Sequence, residues 1–452
     1  MLPTNGDVAD ATPSAATSST SSGGTHHLAP GSARATDGTE RQLQMTSVME
    51  WVRVLEVAEH TFVPLAAAIL ADWGADVIKV EHVERGDAMR GLASSGGIRV
   101  GGGGVHVLME NSNRGKRSIA VDLTQPEGQA IVYALATRCD VFITNKLPAV
   151  RAKLRIDVED IRAHNPSVIY VRGTGYGSKG PDVDLGGYDA LGYWARAGHA
   201  ASVKPPEIDY MPKQPVPALG DSIGAMFIAG GIGSALFHRE RTGEGTVVDV
   251  SLLATGLWAL GAGIGVSQVT QTAYIPTPLD PTEPRNPLVG LYRTLDDRWI
   301  ALSMLQGFHY WPEVSRVLGH PEWVDDPRFA SHQSLFEHGH AASELLASSF
   351  ETRTLEEWKV LLRDLKGQWA PVQDSLNIAD DPMVIANDYL TDVVTEDGIP
   401  FKLVASPVQF DDEVNVPRRS PGFNEHGDDI LRDDLGMTDE QIIDLKISGV
   451  VA

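Results

Sequence analysis

The segment WVRVLEVAEHTFVPLAAAILADWGADVIKVE, residues 51–81, decides the fold. WVRVLEVA has the apolar, β-branched character of a strand. PLAAAILADWG is typical of a helix that begins at Pro64 and ends at Gly74, and DVIKVE of a second strand. Two strands joined by one helix over so short a stretch form a βαβ unit of nearly minimal length. The segment therefore predicts a parallel sheet that is covered by helices.

The same alternation continues through the first half of the chain. Strand-like SIAVDL is followed by helical PEGQAIVYALATR, strand-like DVFITN, helical VEDIRAHN and strand-like SVIYVRGTGYG. This pattern predicts an α/β fold with a Rossmann-like large domain. The first turn, AEHTFVP, lacks the GxGxxG sequence of dinucleotide-binding enzymes, which argues against a dehydrogenase.

A second stretch, VPALGDSIGAMFIAGGIGSALFHRERTGEGTVVDVSLL (residues 216–253), predicts a tightly packed helix, a glycine turn and a buried strand. Asp221 and Ser222 are residues that cap helices. The small residues that follow leave a face that another backbone can approach closely, namely Ala225, Ala229, Gly230, Gly233 and Ser234. The turn RTGEG ends the helix, and VVDVSLL has the character of a central strand.

Length and charge limit the class of protein. A chain of 452 residues exceeds the usual size of one core and predicts two domains. The formal net charge of -23 argues against nucleic acid or an anionic membrane as a partner, because the field repels polyanions. The single Cys139 excludes an intramolecular disulfide and fits a reducing cytosol. We therefore expect a cytoplasmic protein that binds neither membranes nor nucleic acid.

Composition also divides the chain into segments. Residues 1–46 are rich in Ser, Thr, Ala and Gly, which predicts a disordered N-terminal extension. Residues 47–267 hold the strands and helices of the large domain, and the Thr- and Pro-rich residues 268–286 are typical of a linker. A smaller α+β domain over residues 287–390 begins with the alternating strands of PLVGLYRTLDDRWIALSML.

One basic segment stands out in this acidic chain. Between Arg114 and Arg155 there are eight basic residues and only three acidic ones. This reversal of charge predicts a local site for an anionic ligand, although a solvated basic face that balances acids elsewhere is the alternative. The basic residues are Arg114, Lys116, Arg117, Arg138, Lys146, Arg151, Lys153 and Arg155.

Several short sequences occur together in an order that points to one family. They are WGADVIKVE (73–81), NRGKRSIAVDL (113–123), NPSVIYVRGTGYGSKGP (165–181), GGYD (186–189), the stretch 216–253 and LGMTDEQIIDLKISGVV (435–451). With them the chain resembles the class III CoA-transferase family, which includes formyl-CoA and carnitine CoA-transferases and α-methylacyl-CoA racemases. The resemblance runs from about Val52 to the C-terminus.

The resemblance implies an architecture and a ligand. In this family the C-terminal segment, here residues 391–452, returns to the large domain, and two chains form an interlocked homodimer whose active sites use residues of both. The substrates are an acyl-CoA and a carboxylic acid. The CoA thioester is a substrate, so no permanently bound cofactor and no metal is expected.

The resemblance also implies which residues of this chain contact CoA. Thr61 replaces a glutamine that is common in the family, and Thr174 replaces a lysine found in some members. The implied CoA-binding residues are His60, Thr61, His82, Val121, Thr124, Asn145, Lys153, Leu154 and Tyr176.

The family's transferases use an aspartate as nucleophile. It attacks the donor thioester to give a mixed anhydride, and the CoA thiolate then forms an aspartyl-CoA thioester. The family's distance of about a dozen residues before Asp221 implies Asp209 as this nucleophile. The turn around it, KPPEIDYMP, departs from the usual Glu-Pro-Asp-Gly, which makes Glu207 an alternative and a merely solvated acid a further one.

Asp189, in GGYD, is the third candidate acid. It aligns with the acid of the racemase branch, in which racemisation needs a base on each face of the acidic carbon. A cap for the following helix, ALGYWARAG, is the alternative role of Asp189. Tyr188 occupies the place of that branch's histidine, and His164 or His199 could supply a second base. The sequence therefore favours a CoA-transferase over two alternatives, a 2-methylacyl-CoA racemase and a catalytically silent acyl-CoA-binding protein.

Overall fold

The computed structural model describes residues 47–95, 98–275 and 283–452. The extension predicted over residues 1–46 and the middle of the linker predicted over residues 268–286 lie outside the described residues. The strands are β1 (Arg53–Val57), β2 (Asp76–His82), β3 (Ser94–Ser95), β4 (Ile98–Arg99), β5 (Arg117–Val121), β6 (Val141–Thr144), β7 (Ile169–Thr174), β8 (Val247–Ser251), β9 (Val289–Arg293), β10 (Trp299–Ser303), β11 (Trp369–Pro371), β12 (Leu390–Val394) and β13 (Pro400–Val404).

Helices follow most strands of the first half, and a π-helix spans Ala190–Arg196. The α-helices are α1 (Phe62–Asp72), α2 (Val107–Asn113), α3 (Pro126–Ala136), α4 (Pro148–Leu154), α5 (Val158–Arg162), α6 (His199–Ser202), α7 (Leu219–Thr242), α8 (Leu252–Ala259), α9 (Gly261–Thr270), α10 (Gly307–Val317), α11 (His332–Glu337), α12 (Gly339–Phe350), α13 (Leu355–Leu361), α14 (Pro382–Ala386), α15 (Gly427–Asp429) and α16 (Asp439–Ile447).

The first half of the chain forms a six-stranded parallel sheet in the order β5-β2-β1-β6-β7-β8. This confirms the predicted α/β fold with a parallel sheet. The chain runs outward from β1 in one direction through β2 and β5, and from β6 in the other through β7 and β8. The order therefore reverses between β1 and β6, where the carboxyl ends of neighbouring strands diverge into a crevice that suits a ligand.

Both faces of this sheet are buried. Helices α1 and α7 cover one face, where Ala67, Ile228 and Ile232 are fully buried. The other face packs on α3 and on the C-terminal residues around Ile442, and Val121 of β5 forms a bridge with Val451. A separate apolar core lies between Leu288 and Leu365, where strands β9 to β11 form an antiparallel sheet against helices α10 to α13.

Helix α7 begins at Leu219, two residues before the Asp221 that the sequence suggested as a cap, and its N-cap is Ala218. By length and composition α7 could cross a membrane, and so could the pair α8 and α9, which is bent by 70°. One side of α7, however, is the core face described above, and it packs against α1 through the small residues of the sequence pattern.

The contact between α7 and α1 needs a glycine at one position. A Cβ atom on Gly224 would lie 2.4 Å from Cε2 of Phe62, which is buried in α1. At Gly230, on the exposed side of the same helix, a Cβ atom would meet nothing within 4 Å. The two glycines therefore differ only in what surrounds them.

We expect Gly224→Ala to lower the free energy of unfolding by about 1–3 kcal/mol, because the added methyl overpacks the contact with Phe62. Gly230→Ala is the matched control. It should raise that free energy by up to about 1 kcal/mol, since alanine is the better helix former. Urea unfolding followed by far-UV circular dichroism measures both, and equal effects of the two variants would contradict the packing argument.

Candidate active site

A cleft of about 490 Å³ opens at the carboxyl edge of the sheet, where the strand order reverses. The turn after β1 forms one side, and the loop after β6 together with the start of α4 forms the next. The segment after β7, as far as Leu191, and Asp221 at the start of α7 complete the lining. Four of the residues predicted to contact CoA line this cleft, namely His60, Thr61, Asn145 and Tyr176.

The turn after β1 has a strained backbone that two side chains hold in place. His60 has a φ of 69°, in the left-handed region that non-glycine residues seldom adopt. Its N–H donates to Oδ1 of Asp87 over 3.0 Å. The amide of Asn145 donates from Nδ2 to the carbonyl of Glu59 (2.6 Å) and accepts the Glu59 N–H at Oδ1 (3.1 Å). Asn145 therefore shapes the cleft through its contacts with this turn.

Beneath the turn lies a buried network of charges. Nζ of Lys79 contacts Oε1 of Glu56 at 2.7 Å and Oδ2 of Asp87 at 2.7 Å, and no part of these three side chains reaches solvent. Nζ of Lys116 contacts Oε2 of the same Glu56 at 2.6 Å. The sequence analysis missed this network, although charged residues inside the apolar strands RVLEV and DVIKVEH are a signal that could have revealed it.

The network shifts the pKa values of its members in opposite directions. Burial by itself raises the pKa of Asp87, but the adjacent Lys79 ammonium and the His60 N–H lower it to about 2. Burial lowers the pKa of Lys79, but the carboxylates of Asp87 and Glu56 outweigh it and raise that pKa. Burial lowers the pKa of Lys116 to about 7. The Asp87–Lys79 pair thus stays ionised in the core.

Two acids lie near the start of α7: Asp221 lines the cleft, whereas Asp189 is buried beside it and is not itself part of the lining. Asp189 is 7% exposed and precedes the π-helix; its neighbours Tyr188 and Leu191 line the cleft. Its carboxylate accepts hydrogen bonds from Nε2 of Gln214 (2.7 Å) and from the N–H of Ala190 (2.8 Å). The backbone N–H groups of Gly220 and Asp221, at the start of α7, also act to lower its pKa. Burial raises the pKa of Asp189, and these four donors oppose that rise.

Asp221 itself lines the cleft. Its pKa is raised well above the usual value, first by burial and then by the negative charge of Asp189. The sequence pattern predicts only a helix cap at Asp221 and gives no sign of its place in the site. Its place in the cleft depends on the contact between the start of α7 and Asp189, which no local pattern reports.

The other candidate acids are not part of the cleft. Asp209 and Glu207 lie on an exposed loop between α6 and α7, and neither lines the cleft. The same loop does reach the site through Gln214, whose amide holds Asp189. The choice of Asp209 as nucleophile therefore stays a prediction from spacing, without support from its position.

The remaining predicted CoA contacts lie along the same edge of the sheet or close to it. His82 ends β2 opposite Val121, which ends β5, and Thr124 follows on the surface. The side chain of Val121 is buried in the core, whereas His82 and Thr124 are exposed. Lys153 and Leu154 lie in α4, whose first turns line the cleft. Together with the four cleft residues, these positions follow the carboxyl ends of neighbouring strands.

Most of the basic segment is engaged in ion pairs. Five of its eight basic side chains form ion pairs. Lys116 lies in the buried network, and Lys146 and Arg151, which line the cleft, face Glu59 and Asp157. The reversal of charge along the sequence thus reflects, for the most part, ion pairing with distant acids.

The histidines suggested as a second base lie elsewhere. His164 stacks on Tyr133 with ring centroids 4.1 Å apart, and His199 stacks on Tyr193 at 4.2 Å. Neither lines the cleft. Tyr188, in the place of the racemase histidine, is exposed and packs edge-on against His60 at 5.3 Å. Within the described part of the chain, no group of three or more His, Cys, Asp or Glu side chains could hold a metal ion.

Comparison with known proteins agrees with this geometry. A family model described as CoA-transferase family III matches residues 49–427. The (R)-2-hydroxy-4-methylpentanoate CoA-transferase of Clostridioides difficile is 30% identical over 413 residues, which cover 89% of this chain and 99% of the relative. The cinnamoyl-CoA:phenyllactate CoA-transferase of Clostridium sporogenes is 30% identical over 405 residues, 89% of this chain and 96% of the relative.

Solved structures show the same fold. A CAIB/BAIF family protein from Brucella suis aligns with a TM-score of 0.70 and 27% identity, over 85% of this chain and 98% of that one. Rv3272 from Mycobacterium tuberculosis aligns with a TM-score of 0.69 and 26% identity, over 84% of this chain and 98% of that one.

The buried pair beneath the cleft predicts a pH dependence of stability. The pKa of Asp87 is lowered to about 2 in the folded protein, so its contribution of about 2 kcal/mol is present above pH 4 and is lost as the pH falls towards 2. In Asp87→Asn we expect a lower free energy of unfolding at pH 7, by about 3–5 kcal/mol, because Lys79 loses a buried partner. The slope of stability between pH 4 and pH 2 should also become shallower.

Asp392→Asn is the control for this experiment, since Asp392 pairs with Lys402 on the surface. Its loss should stay below about 1 kcal/mol at pH 7. Urea titrations at several pH values measure both variants. An Asp87→Asn protein as stable at pH 7 as the wild type would contradict the argument.

Proposed function

The chain belongs to CoA-transferase family III and is an acyl-CoA:carboxylate CoA-transferase, and we propose that it works through a covalent intermediate on Asp189. The observation that carries this proposal is the setting of Asp189, a nearly buried carboxylate that four donors orient beside the cleft. An anhydride must be shielded from water, and burial provides that shield. Asp209 and Glu207 lie in solvent, where an anhydride would hydrolyse.

The proposed reaction passes through two intermediates on this residue. A carboxylate oxygen of Asp189 attacks the thioester carbonyl carbon, the carbon–sulfur bond breaks, and CoA leaves as a thiolate with the bonding electron pair. The thiolate then attacks the Asp189 carbonyl of the mixed anhydride, which releases the donor acid and leaves an aspartyl-CoA thioester. The acceptor carboxylate takes CoA by the same steps in reverse. Both substrates supply every atom that the exchange needs.

We further propose that CoA lies along the carboxyl edge of the sheet. The thioester would enter the cleft beside His60, and the nucleotide end would extend towards His82 and Thr124 at the ends of β2 and β5. The support is the placement of the implied CoA contacts on consecutive strands of one edge. Ligands of open α/β sheets bind at this edge.

The lining of the cleft favours acyl groups that are apolar. Leu185, Tyr188 and Leu191 are each at least half exposed at its mouth, around Asp189. Among the described lining residues, the cations Arg85, Lys146 and Arg151 already face carboxylates. A second carboxylate on the substrate would therefore compete with Glu59 and Asp157 for these cations, whereas a branched or aromatic chain would cover the exposed leucines. Two relatives are named for substrates of this apolar kind.

Trapping the intermediate tests the chemistry and the substrate class together. The wild type is incubated with cinnamoyl-CoA, 4-methylpentanoyl-CoA or succinyl-CoA, quenched with hydroxylamine, and mapped by peptide mass spectrometry. We expect the label on Asp189 and faster labelling by the two apolar donors. Asp189→Ala should abolish CoA exchange by at least about 10³-fold, as loss of a nucleophile does.

Asp209→Ala is the matched control, which should keep its activity. A label on Asp209 or Glu207 would move the nucleophile to that residue and refute the assignment. Faster labelling by succinyl-CoA would refute the substrate class alone. Exchange of the α-hydrogen with deuterated water in the absence of any acceptor acid would point to racemase chemistry instead.

We also propose that the enzyme is a homodimer. Large apolar side chains are exposed on helices α7 to α9, including Phe237 (70%), Trp258 (77%) and Val269 (85%). Large apolar side chains exposed on three successive helices favour an interface with another chain. Sedimentation equilibrium should give twice the chain mass of 48.6 kDa. Phe237→Glu with Trp258→Glu should weaken the dimer, whereas Ile447→Glu, at an exposed position of α16, should not.

A further inference from the structure

The two acids near the start of α7 have opposite surroundings. The Asp189 carboxylate accepts hydrogen bonds from Gln214 and Ala190, and the N–H groups of Gly220 and Asp221 also favour its ionised form by lowering its pKa. The Asp221 side chain lines the cleft beside it, and among the described residues no group donates a hydrogen bond to its carboxyl. One acid is thus supplied with the donors that an ionised carboxylate needs, and its neighbour has none.

These surroundings decide which acid holds a proton. A carboxyl that is partly buried, lacks donors and lies next to a negative charge is more stable in its neutral form than the same carboxyl in free solution. Donors to a carboxylate favour its charged form. The raised pKa values agree with this order, since that of Asp221 lies well above the usual value while the donors to Asp189 oppose the effect of burial. Pairs of acids whose environments separate their pKa values are typical of acid and base roles.

We propose that Asp221 is a further catalytic residue, whose protonated carboxyl donates a hydrogen bond to the oxyanion that forms when Asp189 attacks the thioester. This inference rests on the proposed function of Asp189. It assigns to the start of α7 a chemical role in addition to its packing.

The proposed step balances without a further reactant. As Asp189 forms its bond to the carbonyl carbon, one electron pair of the C=O bond moves to oxygen, which accepts the hydrogen bond from the O–H of Asp221. When the carbon–sulfur bond breaks, the C=O bond reforms and the sulfur leaves with its electron pair. The proton stays on Asp221, so the same donor serves the return of the thiolate to the anhydride.

The structural alternative is that Asp221 is ionised and stabilises α7. It is the third residue of the helix, where a negative charge interacts favourably with the helix dipole. In that alternative Asp221 carries no proton, because a neutral acid interacts only weakly with the helix dipole. The protonation state and the rate of the chemical step therefore separate the two roles.

Three variants test the catalytic role in steady-state CoA exchange between 4-methylpentanoyl-CoA and 4-methylpentanoate carrying an isotope label. In Asp221→Ala we expect kcat to fall about 10²-fold with KM changed less than about threefold, which is the loss that follows removal of one oxyanion donor. Asp221→Asn should keep kcat within about tenfold of the wild type, since its amide is also a donor. Glu240→Ala, at the exposed C-terminal end of α7, is the control and should match the wild type.

A kcat in Asp221→Ala within threefold of the wild type would overturn the proposal. Asp221→Asn that is as slow as Asp221→Ala would overturn it as well, since a donor would then not suffice. Far-UV circular dichroism of each variant confirms that it is folded, and the isosteric Asn variant keeps the test valid if the Ala variant is not.

Infrared difference spectroscopy gives a readout that does not depend on activity. At pH 7, without substrate, the spectrum of the wild type minus that of Asp221→Asn should contain the carbonyl stretch of a protonated carboxylic acid. A carboxylate stretch in its place would overturn the proposal. If the wild type shows no CoA exchange while this acid band is present, the proposed function fails and the protonation of Asp221 stands, so the two failures are distinguishable.

Discussion

The position of the cleft depends on one buried interaction, the contact of Lys79 with Glu56 and Asp87. It joins β1 to β2 and to the segment that follows β2, and Asp87 in turn holds the left-handed turn at His60. Removing two opposite charges from water is costly, and the cost is recovered only when the geometry satisfies both groups. The network therefore does little for stability compared with an apolar core, but it fixes the turn that lines the ligand cleft in one conformation.

Close packing of α7 supplies the other half of the site. Gly224 lets α7 approach Phe62 of α1, and the start of α7 then lies beside Asp189. Gly220 packs directly on Tyr193 of the π-helix that follows Asp189. These small residues therefore affect the site indirectly. They determine how closely the N-terminus of α7 approaches the carboxylate of Asp189. The small residues that predict a tightly packed helix are for this reason also needed to form the site.

Local patterns predicted much of the fold and only part of the site. The βαβ unit of residues 51–81 follows from the spacing of apolar residues, and the structure has its two strands and its helix. Ion pairs escaped prediction because their partners are far apart in the chain, as Arg117 and Asp434 are. The excess of charge in the basic segment therefore predicts an anion site or a solvated basic face, whereas five of its side chains form ion pairs. The position of Asp221 in the cleft depends on long-range packing in the same way. By contrast, the implied CoA contacts that come directly after a strand lie together at the carboxyl edge of the sheet.

The hydrogen bonds to Asp189 have two opposite effects on its reactivity as a nucleophile. Donors keep the carboxylate ionised in a buried site, but each also draws electron density from the oxygen that must attack. Three of the donors are the backbone N–H groups of Ala190, Gly220 and Asp221, which the fold holds in place. The fourth, Gln214, comes from a loop, and its Oε1 is buried without a partner. An unsatisfied buried carbonyl costs about 1–3 kcal/mol, so only the Nε2 side of this amide holds Gln214 in place, through Oδ2 of Asp189 and the carbonyl of Val216. Because this donor is a side chain, a change of its rotamer would free Oδ2 for attack without any movement of the backbone that holds the other donors.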